Sequence, residues 1–503
     1  MIERRTLLRS AAAAAAMRFI TAGANARPVA RPRFSGDPFA LGVASGEPSH
    51  DGFVLWTRVM GTEEDSAPAF EIALDDNFRR IVRAGRIAAP IARGGAVHLE
   101  VQGLPAGRPY FYRFHLGGTT SRVGRTMTID PHIRQLRLAL TSCQHWEQGW
   151  FSAYADMPAQ NVDIVLQVGD YIYEKSFGAG PDVRSFGAPE PVSLADYRAR
   201  YALYRTDALL ADAHANMPFL VTWDDHEVEN DYAGAAGVET ADPVRFLRRR
   251  AAAYQAYFEH MPLRPSVFRA DGEVRLYRRL QWGDLASMHV LDSRQYRTPH
   301  PCATSTERAG QVVDACPAAT DPAATMLGFA QERWLAAGLR DDKAKWNLIA
   351  QQTLFSRLFL PQGREARYSD IWDGYGATRD RMLSAVAKAS VRNPVILGGD
   401  VHSFWLNDVK QVFDREQSPV VATEIVTSCL ASRNGPATLF GPAKGLNPHV
   451  RFLDNAHAGY TLLEITPDRL AIDMRSVNDL TDPASRCTSL GRYVVEDGRP
   501  GIA

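Results

Sequence analysis

Leu136-Arg137-Leu138-Ala139-Leu140-Thr141-Ser142-Cys143-Gln144-His145 is the stretch that decides the fold of this 503-residue chain. A short apolar run, too brief for a helix, ends abruptly in side chains that can bind a metal. The same pattern recurs further on. Ile164 to Val168 ends in Gly169-Asp170-Tyr171-Ile172-Tyr173-Glu174, Phe219 to Trp223 ends in Asp224-Asp225-His226-Glu227, and Val395 to Leu397 ends in Gly398-Gly399-Asp400-Val401-His402. Short apolar runs of this kind are strands buried on both faces. In an α/β sheet, residues just past the carboxyl ends of the strands gather on one rim, where ligands bind.

The flanking sequence supports that class. Ser287 to Leu291 and Trp346 to Ala350 are further strand-like runs, and helical periodicity appears in Gln331 to Leu339, with Gly338 as a late breaker, and in Arg379 to Val391. Ser432 to Pro448 reads as a loop, and Gly459 to Met474 as a closing strand pair with a Pro467-Asp468 turn. Residues 133–490 are therefore expected to form an α/β domain of α/β/α layering. Upstream, Pro38 to Ile129 alternates apolar and polar residues in short runs cut by Gly, Pro and Asp, the spacing of a fibronectin III/Ig-like β-sandwich. Leu104-Pro105-Ala106-Gly107-Arg108-Pro109-Tyr110 resembles the tyrosine corner of such domains. Residues 33–130 are assigned to this sandwich, which reads as scaffold or cover, with Asp130-Pro131-His132 as the junction.

Charged residues make up 23% of the chain and hydrophobic ones 45%, with a formal net charge of zero. That balance gives no electrostatic reason to expect nucleic acid or an acidic membrane as partner. Arg4-Arg5-Thr6-Leu7-Leu8, an Ala-rich apolar run and the small-residue site Ala24-Asn25-Ala26 read as a twin-arginine signal over residues 1–26. It implies a secreted or periplasmic protein handled by the twin-arginine export machinery. No other segment reaches 18 consecutive apolar residues, so no membrane anchor is expected. Cys302 and Cys316 flank a Pro-, Ser- and Thr-rich stretch, and a bond between them would close a loop for about 3 kcal/mol. Cys429 with Cys487 is a pairing by elimination, and Cys143 is left over.

Taken singly, Cys143 reads as a core thiol, Asp170 as a cap and His402 as a core histidine. Four such clusters on one rim read differently, because converging carboxylates and imidazoles repel or compete unless a cation lies between them. A two-metal site is expected, with aspartate able to bridge. Cys143 as thiolate and Tyr173 as phenolate are the softer donors that suit ferric iron. Asp225, Asn230 and Asp400 are hard oxygen donors suited to calcium or magnesium. Gly-x-Ser-x-Gly, His-Glu-x-x-His, Cys-x-x-Cys and Gly-x4-Gly-Lys-Ser/Thr motifs are missing, which leaves metal-assisted hydrolysis as the reaction class.

At these residues the chain resembles the PhoD-like alkaline phosphatases of the metallophosphoesterase superfamily. The resemblance rests on Thr141-Ser142-Cys143-Gln144, Gly169 to Glu174, Trp223 to Glu227, Leu291-Asp292-Ser293-Arg294-Gln295-Tyr296-Arg297, Trp372-Asp373-Gly374-Tyr375 and Gly399 to His402. It implies a metallophosphoesterase-like fold, Fe3+ held by Cys143, Asp170 and Tyr173, and Ca2+ alongside with Asp170 bridging. It also implies that Asp400-Val401-His402 is the final metal-binding motif, Asp225 a ligand from the third motif, and Asn230 a further calcium ligand. His226 would contact the phosphate or protonate the leaving group. The metals would polarise the phosphoryl oxygen and activate the attacking water. For Arg294, Arg297 and Asp373, ion pairing and phosphate contact both stay open. The tail after Cys487 looks short for a long covering helix, so a phosphodiesterase or phospholipase D-type activity on small diesters is the alternative to a phosphatase. An exported binding protein with a structural metal site is a third reading.

Overall fold

The computed structural model describes residues 36–178, 182–269, 273–303 and 309–503. The expected signal at 1–26 lies outside the described residues. Among these residues nine strands form one sheet, in the order Cys487–Glu496, Arg469–Val477, Gly459–Ile465, Leu136–Thr141, Ile164–Gln167, Phe219–Val221, Val43–Gly46, Phe53–Arg58 and Ala96–Val101. Seven form a second sheet, in the order Arg278–Trp282, Ala286–Val290, Trp346–Ala350, Pro394–Gly398, Val420–Val426, Phe404–Lys410 and Val450–Asp454. The strands that carry the quoted motifs lie in the parallel centres of these sheets.

Residue alternation sets the layers. Leu136, Leu138, Leu140 and Leu166 of the first sheet meet Met288, Leu348, Val395 and Leu397 of the second in one buried core. The residues between them point outward. Ala139, Val165 and Val221 pack on Tyr197, Tyr201, Leu210 and Phe246, from the helices Leu194–Arg205, Ala208–Asn216 and Pro243–His260. Ile349 and Ile396 pack on Leu335, Leu339, Met382 and Leu383, from the helices Phe329–Asp341 and Gly376–Ala389. The stack is thus helix, sheet, sheet, helix, where the sequence pattern predicts one sheet between two helical layers. A doubly buried strand gives the same apolar run whether its second cover is a helix or another sheet.

The N-terminal strands divide between two sheets. Val43–Gly46, Phe53–Arg58 and Ala96–Val101 extend the nine-stranded sheet, joined to it by the parallel pairing of Gly46 with Phe219. Ala69–Ala73, Ile81–Arg86, Pro109–Leu116, Thr119–Thr120 and Gly124–Met127 form a sheet of their own. Phe53, Leu55 and Val97 from the first group share a core with Ile72, Tyr112 and Phe114 from the second. Tyr110 donates its hydroxyl to the Pro105 carbonyl at 2.9 Å, the contact of a tyrosine corner.

Several local expectations change. Gly338 lies inside the helix Phe329–Asp341 instead of ending it, and a Cβ there would strike the Arg279 guanidinium, so it marks a close approach. The stretch expected as a loop at Ser432 to Pro448 contains the helix Ala437–Ala443. Cys302 and Cys316 are bonded, but Cys429 and Cys487 are free. The Cys429 thiol donates instead to the Ser432 carbonyl at 3.0 Å, while Cys487 opens the outermost strand of its sheet. No helix among the described residues is long and apolar enough to cross a membrane.

Candidate metal centre

The chain turns sharply where the motif strands end. Cys143 (φ 56°), Asp170 (56°), Asp400 (66°) and His402 (51°) all adopt left-handed backbone. That conformation costs a non-glycine residue about 1–3 kcal/mol and concentrates at functional sites. Gly169 and Gly399 precede two of these turns and let the segments touch, since a Cβ on Gly169 would overlap Asp224 and one on Gly399 would overlap Ser142.

The turns bring the motifs together. Ligand atoms of Cys143, Asp170 and His402 lie within 4.8 Å of one another, and so do those of Asp170, Asp224, Asp225 and Asp400, and those of Asp170, Asp225 and His226. Asp170 belongs to all three groups. The Tyr173 hydroxyl lies 3.0 Å from both Asp170 Oδ2 and His402 Nε2, which sets it beside Cys143. Asn230 enters through its backbone, with its N–H donating to Glu174 Oε1 at 3.1 Å. Asp224 converges with the others although the sequence reading did not select it. Its only signal was the adjacency of two carboxylates at a strand end.

Electrostatics sharpen the picture. Burial, then Asp225 and Asp224, push the Asp170 carboxyl well above the usual range against the pull of His226. Burial, then Asp224 and Asp370, do the same to Asp400. Burial with Asp170 and Asp400 raises the Cys143 thiol, and burial with Asp170 and Cys143 raises the Tyr173 phenol. Asp224 is pushed up by burial to about 6 despite Arg294. Burial also works on Asp225, but Arg294 and His226 outweigh it and hold that carboxylate low.

These donors fit cations. Asp170 Oδ1 and Asp225 Oδ1 are buried without a hydrogen-bond donor, although Arg294 comes within 3.4 Å of the latter. The single Tyr173 proton faces two acceptors. The His402 Nδ1–H donates to the Arg433 carbonyl at 2.6 Å, which leaves the Nε2 lone pair turned inward. A thiol, a phenol, an imidazole and a carboxylate make a set suited to iron, and the aspartates beside them a set suited to a hard divalent ion. A cation bound there would replace each repulsion by attraction and would favour the deprotonated thiol and phenol.

The arginines left open by the sequence form ion pairs. Arg294 is fully buried and directs Nε to Asp224 Oδ1 at 2.5 Å and two further nitrogens to Asp370 at 2.7 and 2.8 Å. Arg297 donates to Asp370 Oδ1 at 2.8 Å, and Asp373 accepts from Arg357 and Arg379 at 2.5 Å each. Glu227 accepts from the backbone N–H groups of Asp170, Tyr171 and Asp224, tying two motif turns to one carboxylate. A rim that gathers carboxylates, a thiol and an imidazole around one shared aspartate could hold the cations that would polarise an ester, with a proton donor beside them.

Residues 138–474 match the family model described as PhoD-like phosphatase, and residues 23–130 match the one described as PhoD-like phosphatase, N-terminal domain. The chain is 37% identical over 494 residues to alkaline phosphatase D of Bacillus subtilis (strain 168), a match covering 94% of this chain and 83% of that protein. A solved structure of PhoD superposes with a TM-score of 0.87 at 36% identity, covering 94% of this chain and 93% of that one.

Proposed function

The chain belongs to the PhoD-like phosphatase family and is a phosphoric ester hydrolase, and we propose that it is an exported alkaline phosphatase working with ferric iron and calcium. In this reading Cys143, Asp170, Tyr173 and His402 would hold the iron, Asp225, Asn230 and Asp400 would hold calcium, and Asp170 would serve both. Residues 1–26 are a twin-arginine signal, 33–130 a β-sandwich, and 133–490 a metallophosphoesterase-type catalytic domain. The observation that carries the proposal is the sharing of Asp170 between the thiol, phenol and imidazole on one side and the carboxylates on the other.

The cations would supply Lewis acidity to the phosphoryl oxygens and lower the pKa of a bound water. The chain's residues do the rest. Asp170 holds the two halves of the site in register. The Arg433 carbonyl fixes the His402 tautomer. His226 stands within reach of Asp170 and Asp225, where its Nε2–H can pass a proton to the departing oxygen of the ester.

A diester substrate is the second reading. Phosphate release from p-nitrophenyl phosphate, against nitrophenol release from its bis ester, separates the two. The expected result is faster monoester turnover, lost on chelation and restored by iron with calcium. Faster diester turnover favours a phosphodiesterase, and bound metal with no turnover of either favours a binding protein.

A further inference from the structure

Glu174 closes the Gly169 to Glu174 motif, and its carboxylate is fully buried. Oε2 accepts from His226 Nδ1 at 2.7 Å, and Oε1 accepts from the Asn230 N–H at 3.1 Å. Among the described residues no lysine or arginine side chain forms an ion pair with it. Arg200, close by, donates instead to the Tyr173 and Glu174 carbonyls. A buried carboxylate with one cationic partner is costly without that partner, so the pair stands or falls together.

The imidazole is confined on its other sides too. The Tyr173 ring lies over it with centroids 4.2 Å apart and a 31° tilt, and the Phe177 ring meets it edge-on at 5.0 Å. A carboxylate oxygen can only accept, so Nδ1 carries its proton and Nε2 is the ring nitrogen left to meet a ligand. Both Asp170 and Asp225 lie within 4.8 Å of a His226 nitrogen.

We propose that Glu174 is the positioning residue for His226 in ester hydrolysis, holding the imidazole through Nδ1 so that Nε2–H faces the departing oxygen. The inference rests on His226 being the proton donor. In the step itself the bond from phosphorus to the leaving oxygen breaks and its electron pair stays on that oxygen, which takes the Nε2 proton. The oxygen of water forms the new bond to phosphorus and releases its proton to solvent. His226, neutral with Nδ1–H still bound to Glu174, regains a proton from solvent.

Such a role has a signature that plain structural support lacks: dependence on the leaving group. Nitrophenolate departs without a proton, whereas an alkoxide needs one. Glu174→Ala, Glu174→Gln, His226→Ala and the Glu174→Ala/His226→Ala double variant are assayed on p-nitrophenyl phosphate and on an alkyl phosphate, with metal content measured in each. Expected for Glu174→Ala is a kcat loss of roughly 10²-fold on the alkyl ester, less than roughly 10-fold on the nitrophenyl ester, and unchanged KM and bound metal. Glu174→Gln, which keeps an acceptor for Nδ1–H, falls between wild type and Glu174→Ala. The double variant is no worse than His226→Ala. Equal losses on both esters for the Glu174 variants, with His226→Ala still selective, overturn the role of Glu174 alone. Equal losses in His226→Ala overturn the reading of His226 and the inference with it. Loss of metal from Glu174→Gln assigns Glu174 to holding the site together and also overturns the inference.

Discussion

Asp373 and Asp170 are both fully buried carboxylates, and burial works to raise the pKa of each, yet they end on opposite sides of the ordinary range. Asp373 accepts from Arg357 and Arg379 and is held low by them. Asp170 has no arginine partner among the described residues. One oxygen accepts from Tyr173, the other has no donor, and Asp225 and Asp224 add to the repulsion. Asp370, gripped by Arg294, Arg297 and His300, follows Asp373, and Asp400 follows Asp170. Burial of acid alone therefore does not mark a site. What sets Asp170 and Asp400 apart is that no arginine or lysine among the described residues forms an ion pair with either.

Replacing Asp170 or Asp373 by its amide should have the largest effect, in opposite directions. Asp170→Asn is expected to lose activity by on the order of 10³-fold, the scale of removing transition-state charge stabilisation, and to lose bound metal. The same change should leave the metal-free protein at least as stable as wild type, because it removes an uncompensated charge. Asp373→Asn is expected to do the reverse. It leaves two buried guanidinium groups without their partner and costs about 3–5 kcal/mol in urea denaturation, while the folded fraction keeps its metal.

Chelation sharpens the contrast at smaller scale. Wild type in free metal at about 100 times Kd should lose about 2.7 kcal/mol of apparent stability when the metal is stripped, and Asp170→Asn should lose almost none. The smallest effect is in pH. A carboxyl held low in the folded state, such as Asp373, adds stability above its unfolded pKa, near 3.8, and that contribution is lost as pH falls below it. Asp373→Asn should flatten the acid limb of the stability profile in urea denaturation. For Asp170, raised in the fold, the sign is opposite. The metal-free protein should lose stability as pH rises above the ordinary carboxylate range, and Asp170→Asn should remove that slope.

Much of this was legible in the sequence, because strand ends announce themselves by an abrupt change from apolar to polar residues, as at Thr141 to Cys143 and Leu397 to Asp400. The layering was not, since Leu138 facing a second sheet and Ala139 facing helices produce one unbroken run. The pairing of Gly46 with Phe219 joins distant segments and leaves no local trace. The sequence assigned Asp400 to the metal but left Asp373 open between ion pairing and phosphate contact. Only the arrival of Arg357 and Arg379 from elsewhere in the chain decides for ion pairing. Glu174 was quoted within its motif but received no role, because its partner His226 comes from another strand end.

In the proposed function, Cys143, Asp170 and Tyr173 form, with the neighbouring aspartates, a site for ferric iron beside a hard divalent ion. Metal analysis of the purified protein together with its visible spectrum tests this most directly. The expected result is bound iron and calcium, with a charge-transfer band that Cys143→Ala and Tyr173→Phe shift or abolish. A colourless, iron-free protein with full phosphatase activity would contradict it.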